Sequence, residues 1–190
     1  MRKRRLIAAT SVTLLALGAY VVASDSHNRK DRFETRLQGF QENPSNSTTG
    51  RGHVELRIDD DAQTITFELT YDRLEGVGTT PFVTNGVVTQ SHIHVSSRHV
   101  NGGVAVFFCG GGGKPACPTP SGTVTGVIVP GDIVGPAAQG INPGEPTAFE
   151  ELVKAIRAGF AYANVHTTRW PAGDIRGQLT EDDDHDHDHR

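Results

Sequence analysis

HVELRIDDDAQTITFELTYD, residues 53–72, decides the fold class. Val54, Leu56 and Ile58 alternate with Glu55 and Arg57, and Ile65, Phe67, Leu69 and Tyr71 alternate with Thr66, Glu68 and Thr70. Side chains two apart on a strand share a face, so each segment carries one apolar and one polar side. The Asp-rich stretch between them is a turn. The whole predicts an antiparallel hairpin with one face on a core and the other in water.

Working outward, FETRLQGF (33–40) reads as a strand before this hairpin. The loop QENPSNSTTG (41–50) carries the glycosylation sequon Asn46-Ser47-Thr48, which matters only in a eukaryotic secretory pathway. Beyond the hairpin, VVTQSHIHVSS (87–97), GGVAVFF (102–108), GTVTGVIV (122–129), FAYANVHT (160–167) and GDIRGQLT (173–180) are strand-like, and TRWPAG (168–173) is a turn. One helix interrupts them. Thr147 and Glu150 have the spacing of a capping box, Phe149, Leu152, Val153 and Ile156 recur at helical spacing, and Gly159 ends it. The expected fold is all-β, an antiparallel Greek-key β-sandwich or barrel with one short helix. The 22 glycines and 10 prolines suit such short strands and frequent turns.

The chain's ends read differently. Arg2, Lys3, Arg4 and Arg5 precede an apolar run from Leu6 to Ala23, the pattern of a secretory signal peptide cleaved before Ser24, or of a membrane anchor if uncleaved. Residues 24–32 form a polar spacer, 33–180 the β domain, and 181–190 an acidic, His-rich tail expected to be disordered. The domain is therefore expected outside the cytoplasm: secreted, periplasmic or at the cell surface. A membrane partner enters only through an uncleaved anchor. With 18 Lys and Arg against 22 Asp and Glu, four of the bases lying in the leader, nucleic acid is excluded as a partner. In an exported chain, Cys109 and Cys117 in FFCGGGGKPACP read as a disulfide closing a flexible glycine loop, one that need not touch any chemistry.

The candidate chemistry lies in Ser91-His92-Ile93-His94. On a strand, His92 and His94 stand side by side, and imidazole pairs at this spacing suit copper, zinc, iron or nickel. His166, in Asn164-Val165-His166, becomes the third ligand if its strand lies nearby. The competing reading is that these rings only hydrogen-bond their surroundings. Copper is favoured over zinc by the general affinity order. Asp174 and Arg176 share a face of the last strand, where Asp174 would orient a ligand imidazole or pair with Arg176. His99 is a weak fourth candidate in a turn, and His53 is expected to face solvent. The alternating His185, His187 and His189 of the tail would bind divalent metal weakly. No G-x-S-x-G elbow and no phosphate-cradling loop is present. Whether the protein is an enzyme is left open by these motifs.

The ordered set Phe33…Leu37-x-Gly39, GHVEL (52–56), SHIH (91–94), NGGVAV (101–106), YANVHT (162–167) and PAGDIRGQL (171–179) resembles the CHRD domain first named in chordin. Ser91, Gly103 and Asp174 replace the alanine, proline and glutamate of the family pattern. The resemblance implies an extracellular module that binds a protein or cell-envelope partner, and no established reaction. The cysteine-rich growth-factor-binding modules of chordin are absent. The recurrence of the histidines in the family pattern strengthens the metal reading. A His-x-His strand in a β-barrel is also similar, at the level of fold, to copper/zinc superoxide dismutase. The alternative function is accordingly a copper-type metalloprotein or oxidoreductase using His92, His94 and His166.

Overall fold

The computed structural model describes residues 31–76 and 86–182. The leader, most of the spacer and the tail histidines lie outside the described residues. The strands are β1 (Asp31–Gln38), β2 (Arg51–Asp59), β3 (Thr64–Asp72), β4 (Val88–Val95), β5 (Gly103–Cys109), β6 (Gly122–Ile128), β7 (Ala161–Thr167), β8 (Ile175–Gln178) and β9 (Thr180–Glu181). One α-helix, α1 (Ala148–Arg157), precedes β7.

The alternation in residues 53–72 sets the register. Val54 faces Leu69, Leu56 faces Phe67 and Ile58 faces Ile65, so both apolar rows fall on one side. The sheet runs β5-β4-β7-β8-β1-β2-β3-β6, with β9 paired to β1, and every pairing is antiparallel. It curls into a nearly closed barrel, because the two edge strands approach each other. Beside this seam the Val134 amide donates to the Ala105 carbonyl at 2.8 Å. The predicted Cys109–Cys117 disulfide forms in the connection between the two edge strands. Inside lie Phe33, Leu37, Ile93, Phe108, Val165, Ile175 and the hairpin's apolar rows. The helix buries Phe149, Leu152, Val153 and Ile156 and packs against β4, β7 and β9. Arg157 reaches Asp60 of the β2–β3 turn at 2.6 Å.

One local expectation is corrected. Thr147 occupies the N-cap position, but its backbone is already helical and its hydroxyl makes no capping bond. The Asn46 side chain ties its loop to the β7–β8 turn: its amide donates to the carbonyls of Gly173 and Asp174, and its oxygen accepts from the Thr48 amide.

Candidate metal centre

β4 pairs with β7, placing His92 across from Asn164, His94 across from Tyr162 and Gln90 across from His166. Ile93, Val95, Ala161, Ala163 and Val165 point into the barrel, so the alternating residues His92, His94, Tyr162, Asn164 and His166 lie on its outer face. That face is not wet. His92, His94 and His166 are exposed by only 1%, 9% and 7%. The three meet on the outer side of the β4–β7 pair. One ring nitrogen from each lies within 4.8 Å of the other two, and the His92 ring is 4.5 Å from that of His94 and 4.7 Å from that of His166.

The loops over this face fix which nitrogen carries a proton. His94 Nδ1–H donates to the Gly102 carbonyl of the β4–β5 loop at 2.9 Å. His166 Nδ1–H donates to the Pro171 carbonyl of the β7–β8 turn, also at 2.9 Å. His92 has Asn164 across from it on β7 and no partner at Nδ1. A carbonyl oxygen only accepts, so each ring so held must present its proton there, leaving an unprotonated lone pair on its other nitrogen. The nitrogens left over are His92 Nδ1, His94 Nε2 and His166 Nε2, and all three are buried without a partner.

Burial also keeps the rings neutral. It is the largest cause holding His92 down to about 2, with the charges that His94 and His166 would carry adding to it. His94 is held at about 4, again mainly by burial, and His166 is depressed for the same reason against the opposing pull of its bond to Pro171. Neutral imidazole is the form that ligates metal.

Around the triad, Tyr162 stacks flat on His94, with centroids 4.7 Å apart and planes 8° from parallel. The Arg176 guanidinium lies 3.4 Å over the Tyr162 ring. Phe107 meets His92 edge-on at 5.0 Å. The glycine run of the disulfide loop packs on that phenylalanine: a Cβ at Gly111 would lie 2.4 Å from its ring. The loop read as a flexible tip thus packs on the phenylalanine beside His92, and the disulfide closes it.

Asp174 and Arg176 are both buried beside this region, but neither does what was expected of it. Asp174 accepts from the Thr167 hydroxyl at 2.9 Å, and backbone carbonyls take the roles assigned to it at the imidazoles. Instead of pairing with Asp174, Arg176 donates to Asn101 Oδ1 and to the carbonyls of Ser97 and Val100. His99 sits exposed in its turn, outside the cluster. His53 is half-buried on the outer face of β2, 3.5 Å from both Glu34 and Glu55.

Glu42 carries no sequence signal and is 5% exposed. Its Oε1 has no hydrogen-bond partner. Burial pushes its carboxyl up to about 7, against the attraction of Arg176. Gly173, at φ +137°, passes so close that a Cβ there would lie 2.4 Å from Oε1.

The family model of the CHRD domain matches residues 33–179. No curated protein and no solved structure gives a significant match. The chain belongs to the CHRD domain family, whose domains are extracellular interaction modules, and the Cys109–Cys117 bond agrees with that setting.

Proposed function

We propose that this CHRD domain is an extracytoplasmic binding module organised around a transition-metal centre formed by His92, His94 and His166. One observation supports the reading: three partnerless, buried ring nitrogens converge, and on two of the rings a backbone carbonyl holds the proton on the far side. Leaving each acceptor unsatisfied would cost about 1–3 kcal/mol. A metal ion accepts all three lone pairs at once, and imidazole nitrogen suits copper or zinc, with copper ahead in the affinity order. The leader read in residues 1–23 would deliver the domain outside the cytoplasm, where its partner is a protein or an envelope component. The copper-type oxidoreductase reading uses the same three ligands.

The test is metal analysis of full-length protein purified without immobilised-metal resin, with His185, His187 and His189 changed to Asn to silence the tail. One equivalent of copper or zinc is expected after loading and desalting. His94→Gln and His166→Gln should each lose it while keeping the far-ultraviolet circular dichroism of the parent. If the parent retains no metal at neutral pH, the histidines are structural and only the binding module remains.

A further inference from the structure

The charge inventory around the triad goes beyond the identity of its ligands. Among the described residues, the cluster contains three imidazoles and neither a carboxylate nor a thiolate. All three rings are buried, and imidazole ligates a metal as the neutral ring. The groups against them are Asn164, Tyr162 and Phe107, which carry no charge. The nearest full charge identified is positive: Arg176, stacked on the Tyr162 ring that itself stacks on His94. Neither nearby acid belongs to the cluster, although Glu42 attracts Arg176. The Asp174 carboxyl is turned to Thr167, and Glu42 faces Gly173.

A divalent ion in such a place keeps its whole double charge in a poorly solvated space beside a cation. The cost of burying an ion rises steeply with its charge, and only paired or neutralised ions are buried cheaply. A monovalent ion with three neutral ligands avoids most of that cost. Three imidazoles, two of them held by fixed backbone carbonyls, also offer a three-coordinate set, which a filled-shell ion accepts and copper(II), with its tetragonal preference, does not. The surroundings of a metal, not only its ligands, set its preferred oxidation state.

We infer that the His92, His94 and His166 centre is selective for copper in its +1 state and holds it against copper(II) and zinc(II). This inference rests on the metal-centre reading above and adds the charge of the ion. The module would therefore keep copper reduced outside the cytoplasm, as a store or carrier of Cu(I).

The experiment uses the full-length chain with the three tail histidines changed to Asn. Cu(I) is supplied under argon as its acetonitrile complex and titrated against bicinchoninate. Cu(II) is titrated against nitrilotriacetate in air, and zinc(II) by competition with a chromophoric chelator. Cu(I) is expected to bind at least a hundredfold more tightly than Cu(II), which at 59 mV per tenfold for one electron raises the copper potential by about 120 mV. Asn164→Asp then puts a carboxylate of the same shape against His92. It should reduce the Cu(I)/Cu(II) preference at least tenfold by strengthening Cu(II) binding. Equal or tighter binding of Cu(II) or zinc by the parent overturns the inference and leaves the metal centre standing. So does a preference unchanged in Asn164→Asp, since charge would then not be its cause. Failure of all three ions to bind overturns the metal centre itself.

Discussion

The two halves of this barrel treat their outer faces in opposite ways. In the half made by β1, β2, β3 and β6, burial alternates residue by residue: β3 is apolar and buried at Ile65, Phe67, Leu69 and Tyr71, and exposed or half-exposed between them. In the half made by β4, β7 and β8, alternation of burial disappears. Every residue of β7 and of β8 is buried, although the outward row includes Tyr162, Asn164, His166, Arg176 and Gln178. The composition of the rows still alternates; only their access to water has changed. Polar side chains removed from water at this density need partners, and here loops supply them. Gly102, Pro171, Ser97 and Val100 each offer a carbonyl to a side chain of that row. The difference separates a surface that merely tolerates polar residues from one built to hold them in place.

The sharpest way to break this contrast is to exchange histidines between the halves. His53 is flanked by two carboxylates, a ligand set that looks plausible on residue type alone. It lies on the open half, where water satisfies all three groups. Loss of bound metal should be complete in His166→Ala and undetectable in His53→Ala, read by elemental analysis of desalted protein. With metal present at a thousand times its dissociation constant, the parent should also gain about 4 kcal/mol in chemical denaturation, a gain absent from His166→Ala. Metal lost on His53→Ala would move the site to the other half.

Arginines give the next contrast. Arg176 is 1% exposed, donates to three oxygens and covers an aromatic ring. Removing it empties a buried space beside the Tyr162 ring and takes the donor from three part-buried oxygens of the β4–β5 loop, so Arg176→Ala should lower stability by about 2 kcal/mol. Arg51 makes a bidentate pair with Asp72 at 2.7 and 3.0 Å, which is the better-looking salt bridge, but both side chains are exposed. Arg51→Ala should leave the denaturation midpoint unchanged, because solvent and salt screen the pair. A larger effect at Arg51 than at Arg176 would show that the outer face of the site half is wetter than its burial indicates.

The buried acid of the site half is testable by pH. Glu42 is held at about 7 against an ordinary 4.5, so the native state keeps a proton that the unfolded chain loses. Its contribution is complete below pH 4.5 and is lost as pH rises through 7. The histidines act in the other direction. Their native values lie below 6.5, so the unfolded chain takes up protons first and stability falls as pH drops below 6.5. Glu42→Gln isolates the acid. The stability of the parent relative to this variant should decline by about 2 kcal/mol between pH 5 and pH 8 in urea titrations. A flat difference would mean that Glu42 ionises normally and is reached by water.

These regions also differ in how far their residues declare themselves. The open half was legible because its alternation couples directly to burial: Val54, Leu56 and Ile58 lie where period two puts them. The same rule placed His92 and His94 side by side. It could not place His166, because the β4–β7 pairing joins segments some 70 residues apart and no local pattern encodes it. Nor could it identify what holds the rings. Backbone carbonyls have no residue signature, so the carboxylate of Asp174 was the natural candidate, yet the turn after β7 brings the Pro171 carbonyl to His166 instead. Glu42 sits in a loop of turn formers with no periodicity, and its burial comes from the approach of Gly173, a contact across more than a hundred residues.

The smallest expected effect concerns the one helix, which lies on neither outer face and illustrates how a valid local motif can lose its energetic role. The Thr147…Glu150 spacing fits a capping box, and an N-cap threonine replaced by alanine ordinarily costs about 1 kcal/mol. That cost arises from a side-chain oxygen accepting a free amide of the first turn. Here Thr147 has φ −86° and ψ −11°, a helical conformation that directs its hydroxyl away from those amides, and no capping bond forms. The residue is exposed, while its carbonyl accepts from the Glu151 amide, a bond that alanine makes equally well. Alanine also has the higher intrinsic preference for helical backbone. Thr147→Ala should therefore change stability by less than about 0.5 kcal/mol, with either sign. The helix would draw its stability from Phe149, Leu152, Val153 and Ile156 on the barrel, as short helices generally do. A loss near 1 kcal/mol in thermal or urea denaturation would show that the hydroxyl caps the helix in solution after all.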